Sequence, residues 1–174
     1  MMQEISMNDT LWIEELALQE VNMDQSGIVH FNHHISPQSL LEESSINMME
    51  EMRELFEVYV HKFNQNILIN ESQRQIKIYK ISGTVNDFML FRNSLKLILA
   101  RKSADNISIG FLSHSGGLYS ARLNSMTPAE NIVHEIQGSL GAFNEVKWRF
   151  RGEPVNINAL VRHYLTEFIK LSAR

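Results

Sequence analysis

Val85-Asn-Asp-Phe-Met-Leu-Phe-Arg-Asn-Ser-Leu-Lys-Leu-Ile-Leu-Ala-Arg-Lys102 is the stretch on which the fold turns. Thr84 and Asp87 stand three residues apart, as a helix capping pair does, and Phe88, Phe91, Leu95, Ile98 and Leu99 fall on one face at helical period. Arg101 and Lys102 come where the last turn of a helix favours cations. These signals predict a helix over 85–102. The same residues tolerate a second reading, because Leu95-Lys-Leu-Ile-Leu99 also fits the two-residue period of a strand. A helix here makes a split βαβ unit, whereas strands make an antiparallel meander flanked by helices.

Outward from this stretch the elements alternate in kind. Residues 75–81 alternate as a strand does. Ile107, Ile109 and Phe111 alternate with Ser108 and Gly110, and His114-Ser-Gly-Gly117 then turns into 118–123, a hairpin signature. Thr127-Pro-Ala-Glu130 reads as a helix start followed by Ile132, Val133, Ile136 and Leu140, with Gly141 to end it. Val146, Trp148 and Phe150 alternate with Lys147, Arg149 and Arg151, a strand with one apolar and one basic side. Ile157, Leu160, Val161, Tyr164, Leu165 and Phe168 follow the spacing of an amphipathic helix. The expected architecture is therefore α+β, a ferredoxin-like βαββαβ sheet with an added C-terminal helix.

Upstream, Ser36 and Pro37 suit a cap and a first helical position, and Ile35 with Leu40 has the spacing of a hydrophobic staple. Leu41, Met48, Met52, Leu55, Tyr59 and Phe63 recur at mostly three-to-four spacing, and nothing breaks the pattern before Asn66. A helix of some 30 residues is about 45 Å long, more than a small core needs. These six residues are thus a candidate interaction seam, with packing inside the chain's own core as the competing use. Met48, Met49 and Met52 would make either contact soft and adaptable. A shorter helix is expected over 9–21, where Leu11, Trp12, Leu16 and Val21 stand among acids. The organisation expected is an acidic, mainly helical segment over 1–72 and a mixed α+β domain over 73–174.

The composition is that of a globular chain: 174 residues, 44% hydrophobic, 21% charged, and a net charge of −4. That small sum is a cancellation. Residues 1–72 hold 13 acids against Arg53 and Lys62, a net −11, while 73–174 hold 14 bases against seven acids, a net +7. Such asymmetry marks an acidic segment facing a basic one, or an anionic partner. Without cysteine there are no disulfides and no cysteine-bound zinc. The first ten residues are acidic and polar where a secretory signal needs a basic start and an apolar core. No run approaches the roughly 20 apolar residues of a membrane helix. A cytoplasmic protein without a membrane partner is the expectation.

Chemistry-bearing motifs are sparse. His30, His33, His34 and His61 supply imidazoles, with Glu57 one turn before His61, but their spacing matches no metal motif. Exposed or capping histidines are the simpler use. His134-Glu135 begins a zinc-protease motif yet Gly138 stands where the second histidine belongs. Ser113-His114-Ser115 puts hydroxyl and imidazole side by side on a turn, where a third group cannot readily orient the base. No phosphate-binding glycine loop occurs, so a non-enzymatic chain without a cofactor is expected.

The basic strand faces carry more weight. Lys77, Tyr79, Arg122, Lys147, Arg149 and Arg151 would share the open side of the proposed sheet, and basic side chains with aromatics there suit single-stranded nucleic acid. The order of elements is similar to that of RNA-recognition folds, but Gly117-Leu-Tyr-Ser-Ala121 lacks their stacking pair. Two functions follow. The leading one is a non-enzymatic interaction or assembly module, a homo-oligomer or a binder of a protein partner, that associates through the long helix. The other is a single-stranded nucleic-acid-binding or regulatory protein that uses the basic face.

Overall fold

The computed structural model describes residues 10–27, 36–67, 74–113 and 133–173. The chain divides into two units, Met1–Ser36 and Pro37–Arg174. The first contains helix α1 (Leu11–Ser26), closed by Gly27 in the left-handed conformation, whose N–H bonds Met23 O at 2.9 Å. None of the residues of α1 is buried.

The second unit opens with the 30-residue helix α2 (Pro37–Asn66). There follow β1 (Lys77–Lys80), β2 (Phe88–Arg92), β3 (Leu95–Ser103), β4 (Asn106–Ser113), β5 (His134–Leu140), β6 (Val146–Phe150) and β7 (Glu153–Pro154), then helix α3 (Ile157–Ser172). The strands form one seven-stranded antiparallel sheet in the order β1 to β7, each paired with its neighbour in sequence. This meander replaces the expected ferredoxin-like βαββαβ arrangement, which has no helix between its first strands here to support it.

The correction begins at 85–102. Phe88, Leu90 and Arg92 of β2, and Leu95, Leu97 and Leu99 of β3, are buried, while the residues between them are half-buried. That is strict period two. Asn93 and Ser94 join the strands with φ of 49° and 70°, both in the left-handed region that a two-residue hairpin demands and asparagine tolerates. The capping signal at Thr84 is a real side-chain bond put to another use. Thr84 Oγ1 accepts from Asp87 N and donates to Ile81 O, making a turn, while Asp87 Oδ1 accepts from Arg101 N at 2.9 Å. A hydroxyl that caps a helix serves a turn equally well.

The helix expected after Thr127 also gives way. His134–Leu140 is strand β5, with Ile136 buried and Glu135, Gln137 and Ser139 exposed. The strand expected over 118–123 and the helix start at Thr127 lie outside the described residues. The C-terminal helix forms where its periodicity puts it, capped by Asn156 Oδ1, which accepts from Ala159 N at 3.0 Å.

Both α2 and α3 pack on one face of the sheet. Met48, Met49, Met52, Phe56 and Val60 of α2 join Val161, Tyr164, Leu165 and Phe168 of α3 over Phe88, Leu90, Leu97, Leu99, Ile107, Ile109 and Ile136. Phe56 meets Phe88 edge to face at 5.9 Å. Polar side chains stitch the layers. Trp148 Nε1 donates to Ser44 Oγ at 3.0 Å, and Arg101 reaches Glu42 at 2.7 Å and Ser45 Oγ at 3.3 Å. Arg92, buried without a carboxylate, donates to the carbonyls of Arg74 and Ile169 and to Ser172 Oγ, with its guanidinium 5.3 Å above the Phe63 ring. Burial and the nearby Arg74 lower its pKa from the usual arginine value.

Candidate functional site

Strand alternation sends every second residue to the sheet face opposite α2 and α3. Pair by pair the register places there Lys77 beside Phe91, Tyr79 beside Met89, Met89 beside Ile98, Phe91 beside Lys96, and Lys96 beside Leu112. Farther across come Ser108 beside Glu135, Gln137 beside Arg149, and Ser139 beside Lys147. Met89, Phe91, Ile98 and Ala100 are half-buried, while Tyr79 and Leu112 are 43% and 53% exposed. A built Cβ on Gly110 would meet Val133 at 3.4 Å, which puts Val133, also exposed, over the same face. Apolar side chains therefore fill the middle of this face, and cations stand around them.

The cations differ in how they are held. Lys102 Nζ contacts Glu135 Oε1 at 2.7 Å across β4, and Asn106 Nδ2 donates to Glu135 Oε2 at 3.3 Å. Those bonds, first the one from Lys102, lower the Glu135 carboxyl pKa. Lys147 Nζ lies 3.3 Å from Glu145. Lys77, Lys96 and Arg149 have no ion-pair partner among the described residues. Five cations against the carboxylates of Glu135 and Glu145, on a face with an apolar centre, favour an anionic partner that also offers apolar surface.

Four of the six residues expected on a basic face, Lys77, Tyr79, Lys147 and Arg149, do share it, and Arg122 lies outside the described residues. Arg151 does not continue the stripe. It sits past the end of β6 in a turn with φ of 49°, its guanidinium 5.1 Å from the Phe150 ring, on the helix side of the sheet. The sequence reading missed Met89, Phe91, Lys96, Ile98 and Leu112 here because a helical period assigned Phe91 and Ile98 to the core. Their alternation with Leu90, Leu95, Leu97 and Leu99 was the available signal.

The residues of the expected seam are placed differently. Met48 and Met52 are buried in the core of this unit, Leu55 and Phe63 pack against that core half-buried, Leu41 is half-buried, and Tyr59 is 38% exposed. The core side of α2 runs through Met48, Met49, Met52, Phe56 and Val60, so the expected stripe overlaps it at Met48 and Met52 and otherwise lies on its flank. The opposite side of α2 carries Glu43, Asn47, Glu51, Glu54 and Val58, all exposed and about one turn apart. Between them Arg53 bonds Glu50 and, at 3.2 Å, Glu57, which lowers the Glu50 carboxyl pKa. A hollow of about 400 Å³ lined by Gln38, Ser39, Glu42, Glu43, Ile46 and Asn47 opens at the start of α2 and offers no nucleophile beyond an exposed serine.

One imidazole is engaged in the interlayer packing. His134 Nδ1 and the Tyr164 hydroxyl form a short hydrogen bond, and the His134 ring lies 5.2 Å from Phe150. Burial, then Arg151 and His163, lowers the His134 pKa from 6.5, while burial pushes the Tyr164 phenol up to about 12. Burial thus disfavours the charged form of both groups. His61 is exposed and bonds Gln65, while His30, His33, His34 and His114 lie outside the described residues. Among the described residues no three His, Asp or Glu side chains gather as metal ligands do, and no helix is long and apolar enough to cross a membrane. No protein-family model, curated protein sequence or solved structure matches the chain.

Proposed function

We propose that this protein is a non-enzymatic interaction and assembly module that self-associates, with the open sheet face as one docking surface. The observation that carries the reading is the apolar centre of half-buried Met89, Phe91 and Ile98 and exposed Leu112 inside a cationic surround. Exposed ion pairs are worth only about 0–1 kcal/mol each, so the apolar centre supplies affinity and the charges supply orientation. The test is sedimentation of the full chain over a wide concentration range, beside Phe91→Glu/Ile98→Glu. The wild-type mass rises above 20.1 kDa with concentration, and the variant, folded by far-UV circular dichroism, stays at that value. A wild type that stays monomeric, or a variant that assembles as the wild type does, overturns the reading.

A second reading has an observation of its own. Tyr79 and Phe91 sit on adjacent strands next to Lys77 and Lys96, an aromatic pair among cations that could stack bases of a single strand. Anisotropy with a labelled oligonucleotide at low salt separates the two. Binding that weakens steeply with salt, and is lost in Lys77→Glu/Arg149→Glu, establishes the nucleic-acid function instead.

A further inference from the structure

Within the unit Pro37–Arg174 the outward stripe of α2 and the open sheet face carry opposite charge. The outward stripe of α2 presents Glu43, Glu51 and Glu54 without an ion-pair partner among the described residues, followed by Val58 at 62% exposure. The open sheet face, on the far side of the same two layers, presents Lys77, Lys96 and Arg149 equally unpaired, around its apolar centre. Two like copies of the sheet face would bring lysine and arginine against lysine and arginine, which opposes an isologous contact. A sheet face against the acidic stripe of another copy satisfies the charges and lays Val58 and the aliphatic stems of the glutamates over Phe91 and Ile98.

We infer that the occupant of the open sheet face is a second copy of this chain, docked by the outward stripe of its α2. This rests on the reading above of the sheet face as a docking surface. The contact is heterologous, so each copy keeps one stripe and one face free and growth continues unless the rotation closes a ring. It is also weak. A helix about 45 Å long and 10 Å wide covers about 450 Å² per partner, well under the roughly 800 Å² of a stable complex. Association in the micromolar range or weaker, falling as salt rises, is the expected behaviour.

Charge-swapped variants of the full chain test the pairing by sedimentation. Glu51→Lys/Glu54→Lys reverses the stripe and Lys96→Glu/Arg149→Glu reverses the face. Each variant alone sets like charges against each other and loses association at least tenfold, and an equimolar mixture regains it because opposite charges meet again at both contacts. If the face variant loses association and the stripe variant keeps it, the sheet face stands as the docking surface and α2 is the wrong occupant. If neither variant changes the mass distribution, both the inference and the reading beneath it fail. An isologous sheet-to-sheet contact would instead leave the stripe variant indistinguishable from wild type.

Discussion

Met52→Ala separates the two uses open to the long helix, packing within its own chain and contact with another. Met52 is fully buried and belongs to the core cluster that joins α2 to the sheet. The substitution removes three heavy atoms, which at about 0.8 kcal/mol per buried methylene is about 2.4 kcal/mol of lost transfer energy. The cavity left behind adds to this, bringing the cost to about 3 kcal/mol within the 2–5 kcal/mol usual for such a truncation. At about 2–4 °C per kcal/mol for a chain of this size, the melting temperature falls by about 10 °C. Urea unfolding followed by far-UV circular dichroism, at two protein concentrations, measures it. The midpoint should drop with the slope unchanged, and by the same amount relative to wild type at both concentrations. Glu54→Ala, on the outward stripe of the same helix, should cost less than about 0.5 kcal/mol. A loss under about 1 kcal/mol for Met52→Ala, or a loss relative to wild type that changes with protein concentration, would refute the placement of this residue in the chain's own core.

Two more outcomes follow from particular contacts. Gly138 lies under the indole of Trp148, where a Cβ would come within 2.9–3.1 Å of three ring carbons. Gly138→Ala should therefore tilt the ring, weaken its bond to Ser44, and cost about 1–3 kcal/mol, with a red shift of tryptophan emission; unchanged emission and stability would contradict it. His134, held below its ordinary pKa of 6.5 in the folded state, leaves the unfolded chain to bind the proton first as pH falls. Stability is then fully present above about pH 6.5 and is lost as pH drops through that value towards the folded-state pKa. Urea stabilities at neutral and mildly acid pH should converge in His134→Phe, and an undiminished slope in that variant would assign the loss to other groups.

How far the sequence revealed this fold depends on what each segment asks of its residues. The C-terminal helix was legible because Val161, Tyr164, Leu165 and Phe168 meet only one spacing, and α2 because its start signals and its length agree. Residues 85–102 were not, since Phe88, Leu95 and Leu99 satisfy a helical face and a strand face at once. What distinguishes them is Asn93, which tolerates left-handed φ, and Arg92, which a helical reading would set among Phe88, Leu95 and Leu99 and which the sheet instead buries against Phe63 and the end of α3, bonded to carbonyls. Within α2 the direction was legible and the rotation was not. Met48, Met52 and Phe63 lie near the buried side, yet Met49, Phe56 and Val60 define it, and only the curvature and register of the sheet choose between neighbouring stripes. The open face followed from the strand assignments, so Lys77, Tyr79, Lys147 and Arg149 were found while Phe91 and Ile98 were lost with the misread segment.

The charge pattern acquires its meaning from the same correction. Along the sequence it divides near residue 72, but in the folded unit it gathers on two surfaces: Glu43, Glu51 and Glu54 on the outward stripe of α2, and Lys77, Lys96 and Arg149 on the open face of the sheet. Folding does not require that division. The layers are held by apolar burial and by the bonds of Trp148, Arg101 and Arg92, and surface charges at this exposure change stability by tenths of a kcal/mol. Interspersing the same charges on both surfaces would leave the core untouched and would lessen the repulsion within each layer. Segregated charge is therefore not explained by the stability of the fold. The sheet side adds apolar side chains that the core does not use, and it is on these, together with the charges, that the proposed docking at that face rests.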